Sequence, residues 1–298
     1  MAPMTRFGRR LSKMNSRVND RWRRTAKRLR DRRGPRTPAP PPTLVVGELV
    51  RDGVFEIRLA NGERRNVLGR STINQLEALV ASPPAGTRAI VITSAPPDFC
   101  AGYDLLEASR GVPESLIAHE SNFATLRQSN VPIIVALQGN VIGGGLELAL
   151  SADIRVATPD TRFAVPASKL GLVYSEAGIR LVVAAFGESV ARAMFLGGVV
   201  VDADAAHSRG VVVDIVGREQ LRDRALELAD SIASWSPLAS SGNRRILDVV
   251  VGRVTDDTAA IRLASFAPHG DLVTSIAHFV TRRVGVTSDV DARPTSER

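Results

Sequence analysis

From residue 44 onward, the apolar positions change spacing repeatedly, and each change marks an element. Residues 44–50 and 54–59 flank Asp52-Gly53 and predict a β-hairpin. In its second strand Phe55, Ile57 and Leu59 alternate with Glu56 and Arg58, so one face is buried. Ile73, Leu76, Leu79 and Val80 have helical spacing and predict a helix over 71–80. The short apolar runs 88–93 and 133–137 read as buried strands, with a loop over 94–102 after the first. An amphipathic pattern over 114–128 predicts a helix, and 154–157 and 162–165 predict strands. Helices are expected over 178–186, 189–196 and 202–208, then a strand over 211–216. Beyond that the pattern is helical only, over 219–234, 238–250, 256–266 and 272–283, before a polar, frayed tail over 286–298. Alternating strands and helices followed by helices alone imply an α/β core over 44–217 and a C-terminal helical region over 218–285.

Composition narrows the function classes. The chain has 298 residues, 44% of them apolar, enough for a globular core. No stretch approaches the ~20 uninterrupted apolar residues of a membrane span. There is one cysteine, Cys100, and the four histidines are scattered, so no disulfide framework and no metal site is expected. The net charge of +8 is misleading. Residues 1–43 hold 14 Lys/Arg against 2 Asp, whereas the rest hold 25 Lys/Arg against 29 Asp/Glu. The body is therefore mildly acidic, and no basic surface for nucleic acid is indicated on it. The Arg-rich segment 1–36 leads into a proline-rich linker over 37–43 and lacks the apolar stretch of a secretory signal. Three readings of it stay open: a disordered solvated tail, an over-extended start with the true one at Met14 or later, or a segment contacting nucleic acid or an anionic membrane. The expected location is cytoplasmic.

The chemistry concentrates in Gly139-Asn140-Val141-Ile142-Gly143-Gly144-Gly145-Leu146-Glu147. This run follows a buried strand and opens a helix. Consecutive glycines there let backbone approach a ligand, and the helix presents free N–H groups and the positive end of its dipole. An oxygen gaining negative charge suits that place. Glu147 lies one turn along the same helix, so a donor and a carboxylate can meet one small substrate. A second segment, Phe99-Cys100-Ala101-Gly102-Tyr103-Asp104-Leu105, also follows a buried strand, and there the Tyr103 N–H is a candidate donor. Either loop alone could be a mere turn.

Together the two segments, with Leu148-Ala149-Leu150-Ser151-Ala152-Asp153-Ile154-Arg155 after the second, resemble the crotonase superfamily, the enoyl-CoA hydratase/isomerase family. Phe163, Pro166, Leu170-Gly171-Leu172 and the segment 202–213 extend the likeness over about residues 44–285. The resemblance implies an α/β spiral of ββα turns with a C-terminal α-helical trimerisation region, assembling as a homotrimer or a dimer of trimers. It implies an acyl-CoA thioester whose carbonyl is held by the amides of Tyr103 and Gly144, with Glu147 as general acid/base. No cofactor is implied beyond the coenzyme A of the substrate. It points to Asn66, Leu68, Ala101, Gly102 and Gly143 as substrate-binding. The sequence has no Gly-rich phosphate loop, so basic side chains such as Arg64 or Arg65 would hold the CoA phosphates, or else are solvated charge.

The sequence departs from that pattern where it matters. Hydratases carry a second glutamate directly after the proline of the Phe163…Pro166 segment; here Ala167 stands there. In the next loop Tyr174 and Glu176 fall where the family lines its pocket. Glu176 either restores a second carboxylate or caps a helix. Tyr174 resembles a tyrosine of some decarboxylases of the superfamily, or else is a pocket wall. Hydratase/isomerase-type chemistry on Glu147 leads, with decarboxylation of a malonyl-type (methylmalonyl-CoA-like) thioester and non-catalytic acyl-CoA binding as alternatives.

Overall fold

A computed structural model describes residues 44–107 and 123–266, with Leu272 and Ile276 beyond them. The basic segment 1–43, the C-terminal tail, most of the helix expected over 114–128 and that over 272–283 lie outside the described residues or nearly so. Strands β1 (Val45–Arg51) and β2 (Val54–Leu59) form the expected antiparallel hairpin, with an irregular register between Leu49 and Arg51. β3 (Ala89–Ser94), β4 (Ile133–Leu137), β6 (Ile154–Ala157) and β9 (Asp214–Ile215) then add in parallel, giving a six-stranded sheet of order β1-β2-β3-β4-β6-β9. A second sheet joins β5 (Asn140–Ile142), β7 (Arg162–Ala164) and β8 (Val201–Asp202).

The long apolar runs are apolar throughout because both faces of the large sheet are covered. Phe55, Ile57, Ile90, Ile92, Ile133, Val135 and Leu137 face one core, shared with helix α1 (Arg70–Ala81) and helix α3 (Gly144–Ser151). The alternate residues Val54, Ala89, Val91, Ile134, Ala136 and Val156 face the other. There helix α8 (Leu221–Ala233) covers them with Leu221, Ala225, Leu226, Ala229 and Ala233, small side chains that bring the helix close to the strands. The period of two along each strand thus separates two cores. Between them in sequence lie α2 (Ala124–Arg127), α4 (Ala167–Leu170), α5 (Glu176–Phe186), α6 (Glu188–Gly197) and α7 (Ala203–Ser208).

Two expectations change. The strand over 211–216 shrinks to Asp214–Ile215, because the Val211 amide bonds back to Ala206 at the end of α7 and its carbonyl accepts from Arg155 Nε. The three-residue strand β5, bracketed by Gly139 and Gly143, gave no periodic signal. Among the described residues no helix is long and apolar enough to cross a membrane.

The C-terminal helices attach in an unusual way. Helix α9 (Pro237–Val250) begins at Ser236, whose side chain caps it, with proline at its first position. Its buried residues are Arg244 and Asp248. The Arg244 guanidinium pairs with Asp153 at 2.9 Å and donates to the carbonyls of Leu126, Arg127 and Ser129 at 2.9, 3.1 and 2.6 Å. Helix α10 (Thr258–Ser265), capped by Asp257, follows. Removing one partner of a buried ion pair strands the other charge and its acceptors. Arg244→Met is therefore expected to destabilise the protein by about 3 kcal/mol, read as a lower denaturant midpoint and faster hydrogen exchange in α9 and residues 126–129.

Candidate active site

The site forms where the loop after β3 is pinned to β5. Cys100 donates its amide to Asn140 O and accepts from Ile142 N, both at 3.0 Å. Asp98 Oδ1 accepts from the amide and the side chain of Asn140, both at 2.8 Å. On the loop's other side Leu68 N donates to Gly102 O at 2.8 Å and Asp104 N to Leu68 O at 3.0 Å, the pattern of a parallel bridge between Leu68 and Tyr103. In that pattern the Tyr103 amide itself faces away from Leu68.

From β5 the chain turns into α3 at Gly143, whose φ of 55° and ψ of −116° lie where a side chain is disfavoured. The Gly143 carbonyl accepts from both Leu146 and Glu147 amides. Gly144 is the first helical residue, so its amide has no acceptor within the helix. A Cβ on Gly102 would stand 3.6 Å from the Gly144 nitrogen, which shows how near the two loops come. Gly145 packs so tightly that a Cβ there would fall 2.6 Å from Cys100 O.

Glu147 is 9% exposed and sits among tyrosines. Tyr103 Oη donates to Glu147 Oε2 at 3.2 Å, and the Tyr103 ring lies against Gly144. The Tyr174 ring stands edge-on to Phe195, with centroids 5.2 Å apart. Both Tyr174 and Glu147 Oε1 border Gly178, and Tyr174 Oη borders Gly143. The Tyr174 hydroxyl is buried beside the Glu147 carboxyl, near enough for each to act on the other. Burial holds the Glu147 carboxyl above its ordinary range; Tyr174, Tyr103 and the Arg127 charge oppose this without cancelling it. Tyr174 is held well above the usual phenol range by burial and the Glu147 charge, so it stays a neutral donor.

The structure thus brings Tyr103, Gly143, Gly144, Glu147 and Tyr174 together, with Gly102 beside them. Other expected site residues fall elsewhere. Glu176 is corrected: it opens α5, is exposed, and pairs with Arg180 one turn on, while Ser175 Oγ caps the helix by accepting from Gly178 N. Glu176 therefore stands inside the first turn, next to the cap rather than in its place, with its carboxylate turned to Arg180. Ala167, at 4% exposure, starts α4 and brings no acid. The fully buried Asn66 side chain donates to Ala95 O and Asp98 O and accepts from Asn61 N, tying two loops together. The Leu68 side chain is in the core, and the Ala101 amide bonds to Arg65 O. Arg64 pairs with Asp104 at 2.9 Å, and Arg65 approaches Asp98 at 3.7 Å.

Two features escaped the sequence. The first is the Tyr103 side chain, because the motif spoke only of its amide. The second is Arg127, whose Nη1 donates to Ser151 Oγ beneath the Glu147 helix; nothing in the spacing signals it. A separate groove of about 450 Å³ lies on the α8 face of the sheet and shares no residue with this cluster. Its Arg222 is bound to Glu56 and its Arg218 to Gln138, so these polar groups are already matched.

Known proteins are similar to this chain in sequence and fold. Residues 50–266 match the family model described as Enoyl-CoA hydratase/isomerase. A Mycobacterium tuberculosis protein named "Probable enoyl-CoA hydratase echA6" is 34% identical over 208 residues, 68% of this chain and 82% of that protein. The Escherichia coli 2,3-dehydroadipyl-CoA hydratase is 30% identical over 236 residues, 78% of this chain and 89% of that protein. A Geobacillus kaustophilus crystal structure described as "Enoyl-CoA Hydrates Subunit I" aligns with a TM-score of 0.74 and 25% identity, covering 81% of this chain and 96% of that one.

Cys100 supplies a check on the packing of the loop. Burial, with a small addition from the Asp98 charge and against the Gly102 amide, pushes its thiol up to about 12. A thiol so raised carries almost no thiolate near neutrality. Cys100 should therefore resist a disulfide reagent at pH 8 in the native protein and react at once in denaturant. Since it is the chain's one cysteine, titration of released thiolate reads it directly. Rapid native labelling would show the loop to be open.

Proposed function

The chain belongs to the enoyl-CoA hydratase/isomerase family, and from that premise we propose that it is a single-base enzyme acting on an unsaturated acyl-CoA thioester, nearer to the isomerases than to the two-carboxylate hydratases. One observation carries the reading: a buried carboxyl, Glu147, the one acid of this cluster among the described residues, hydrogen-bonded by Tyr103 and set one turn behind the Gly144 amide, with Ala167 in the place of a second acid.

The thioester oxygen sits between the Tyr103 and Gly144 amides. Glu147, as carboxylate, removes a proton from the α-carbon of a 3-enoyl thioester. The electron pair moves onto the thioester oxygen, where each fixed donor stabilises the charge by about 3 kcal/mol. Glu147, now the acid, returns the proton to the γ-carbon, and the double bond comes to lie between α- and β-carbons. One carboxyl suffices, since it ends as it began. Burial suits this, because a carboxyl held above its ordinary range is a stronger base when ionised and keeps the proton it has taken. Hydration would need a second group to hold and split a water, and Glu176 faces solvent instead. The step needs no cofactor beyond the coenzyme A of the substrate.

The buried Tyr174 hydroxyl favours a second reading. It is a neutral donor beside the same carboxyl, suited to a substrate bearing an extra carboxylate. Loss of CO₂ from a malonyl-type thioester would leave the same enolate, which Glu147 as acid would protonate. The proposal further places the enzyme in the cytoplasm, as a homotrimer or dimer of trimers built on α9 and α10. The exposure of Leu247, Val250, Leu263 and Phe266 supports the assembly.

The assay is a panel of 3-enoyl-CoA, crotonyl-CoA and methylmalonyl-CoA, beside calorimetric binding. Isomerisation of the 3-enoyl thioester is expected, with Glu147→Gln slower by about 10²–10⁴-fold and Glu176→Gln unchanged. Release of CO₂ from methylmalonyl-CoA alone would move the assignment to the decarboxylase. Tight binding with no turnover of any member would make the protein an acyl-CoA binder.

A further inference from the structure

The Tyr174 ring fills the gap between three helices. One edge stands against Gly178 of α5, where a Cβ would lie 2.9 Å from Tyr174 Cδ1 and 3.2 Å from Glu147 Oε1. Ring and carboxylate therefore meet side by side at one point of that helix, and the bare, buried Gly178 leaves them room. At the tip of the ring Oη comes within 3.4 Å of the Cβ that Gly143 lacks, just before α3. On another side the ring packs edge-on against Phe195 of α6, with centroids 5.2 Å apart.

The segment carrying the ring is pinned at both ends. Leu172 N donates back to Ala167 O of α4 at 3.0 Å. At the start of α5, Gly178 N donates to Ser175 Oγ at 3.1 Å and Ile179 N to Ser175 O at 3.0 Å. Phe195 is tied in turn, its carbonyl accepting from Ser168 Oγ at 2.7 Å. Both rings pack against the main core. A ring so backed gives little way to a ligand, because close-packed side chains shift only at a cost.

Its place decides what can lie beyond Glu147. With the thioester oxygen between the Tyr103 and Gly144 amides, Glu147 serves the α- and γ-carbons. A chain continuing past the γ-carbon on that side meets the Tyr174 ring next to the carboxylate. We propose that the Tyr174 ring is the end wall of the acyl pocket and makes the site selective for short-chain acyl-CoA thioesters. This role rests on the reading above for where the thioester lies, and it belongs to the bulk of the side chain rather than to its hydroxyl.

The test is calorimetric binding of saturated acyl-CoA thioesters, acetyl to dodecanoyl, to the full-length protein; turnover does not enter it. Wild-type affinity is expected to rise from acetyl- to butyryl-CoA, by about fourfold for each buried methylene, and to fall by about tenfold at octanoyl-CoA, where the added methylenes find no room. Tyr174→Ala removes the wall and is expected to bind octanoyl-CoA about tenfold more tightly than the wild type does. Tyr174→Phe keeps the bulk and is expected to keep the wild-type length profile.

A wild-type affinity that climbs steadily to dodecanoyl-CoA overturns the proposal. So does an unmoved profile in folded Tyr174→Ala, or a lost one in Tyr174→Phe, which would assign selectivity to the hydroxyl. Tyr174→Val serves if the alanine variant does not fold, and the wild-type profile decides alone if neither does. No binding at any chain length sinks this proposal and the functional reading together. A length cut-off that moves with the ring, while the thioester panel shows no turnover, sinks the enzymatic reading and leaves the wall standing. Turnover of the 3-enoyl thioester with a cut-off indifferent to the ring does the reverse.

Discussion

Everything at the site depends on backbone pairing between the loop after β3 and the short strand β5. Two hydrogen bonds of Cys100 and the contacts of Asp98 with Asn140 fix the loop against the strand that feeds α3. Without that pairing Tyr103 and Gly144 are residues of two separate turns, some forty positions apart in the chain. With it they become neighbours, and the glycines at 144 and 145 are required because a ring and a carbonyl occupy the space a side chain would need. Proximity here is a property of main chain, which is why it tolerates so few residue types.

The pairing also decides the electrostatics. Bringing Tyr103 to α3 closes one side of Glu147, and Tyr174 closes another. A carboxyl so enclosed loses hydration, and among the described residues two hydroxyls and the Arg127 charge offset that loss in part. An additional acid inside the same enclosure would repel the charge of the first. The alanine at 167 and the outward turn of Glu176 fit an environment that admits a single carboxyl.

What could be read from the sequence was whatever the backbone dictates. The alternating and continuous apolar runs placed β1 to β4 and α1, α8 and α9 within a residue or two, because burial of both sheet faces leaves little choice of side chain. The glycine run announced itself for the same reason. What could not be read was side-chain direction. Glu176 and Glu147 look alike as candidates in the sequence; one faces solvent beside Arg180, whereas the other sits on a helix buried along its whole length. Asn66 matched a motif position, yet its amide is spent on three main-chain groups. Arg127 gave no signal, since its partner is a serine on another helix and its anchor lies more than a hundred residues downstream.

The manner in which α9 is attached bears on how the protein is made. Among the described residues the helix is anchored to the sheet through the Arg244 guanidinium and a set of directional bonds, while its Leu247 and Val250 lie exposed. A newly synthesised copy must carry that greasy stripe uncovered until something meets it. With a second copy as the cover, as the proposed assembly has it, encounter grows with the square of copy number, so scarcity prolongs the vulnerable interval and crowding on neighbouring ribosomes shortens it.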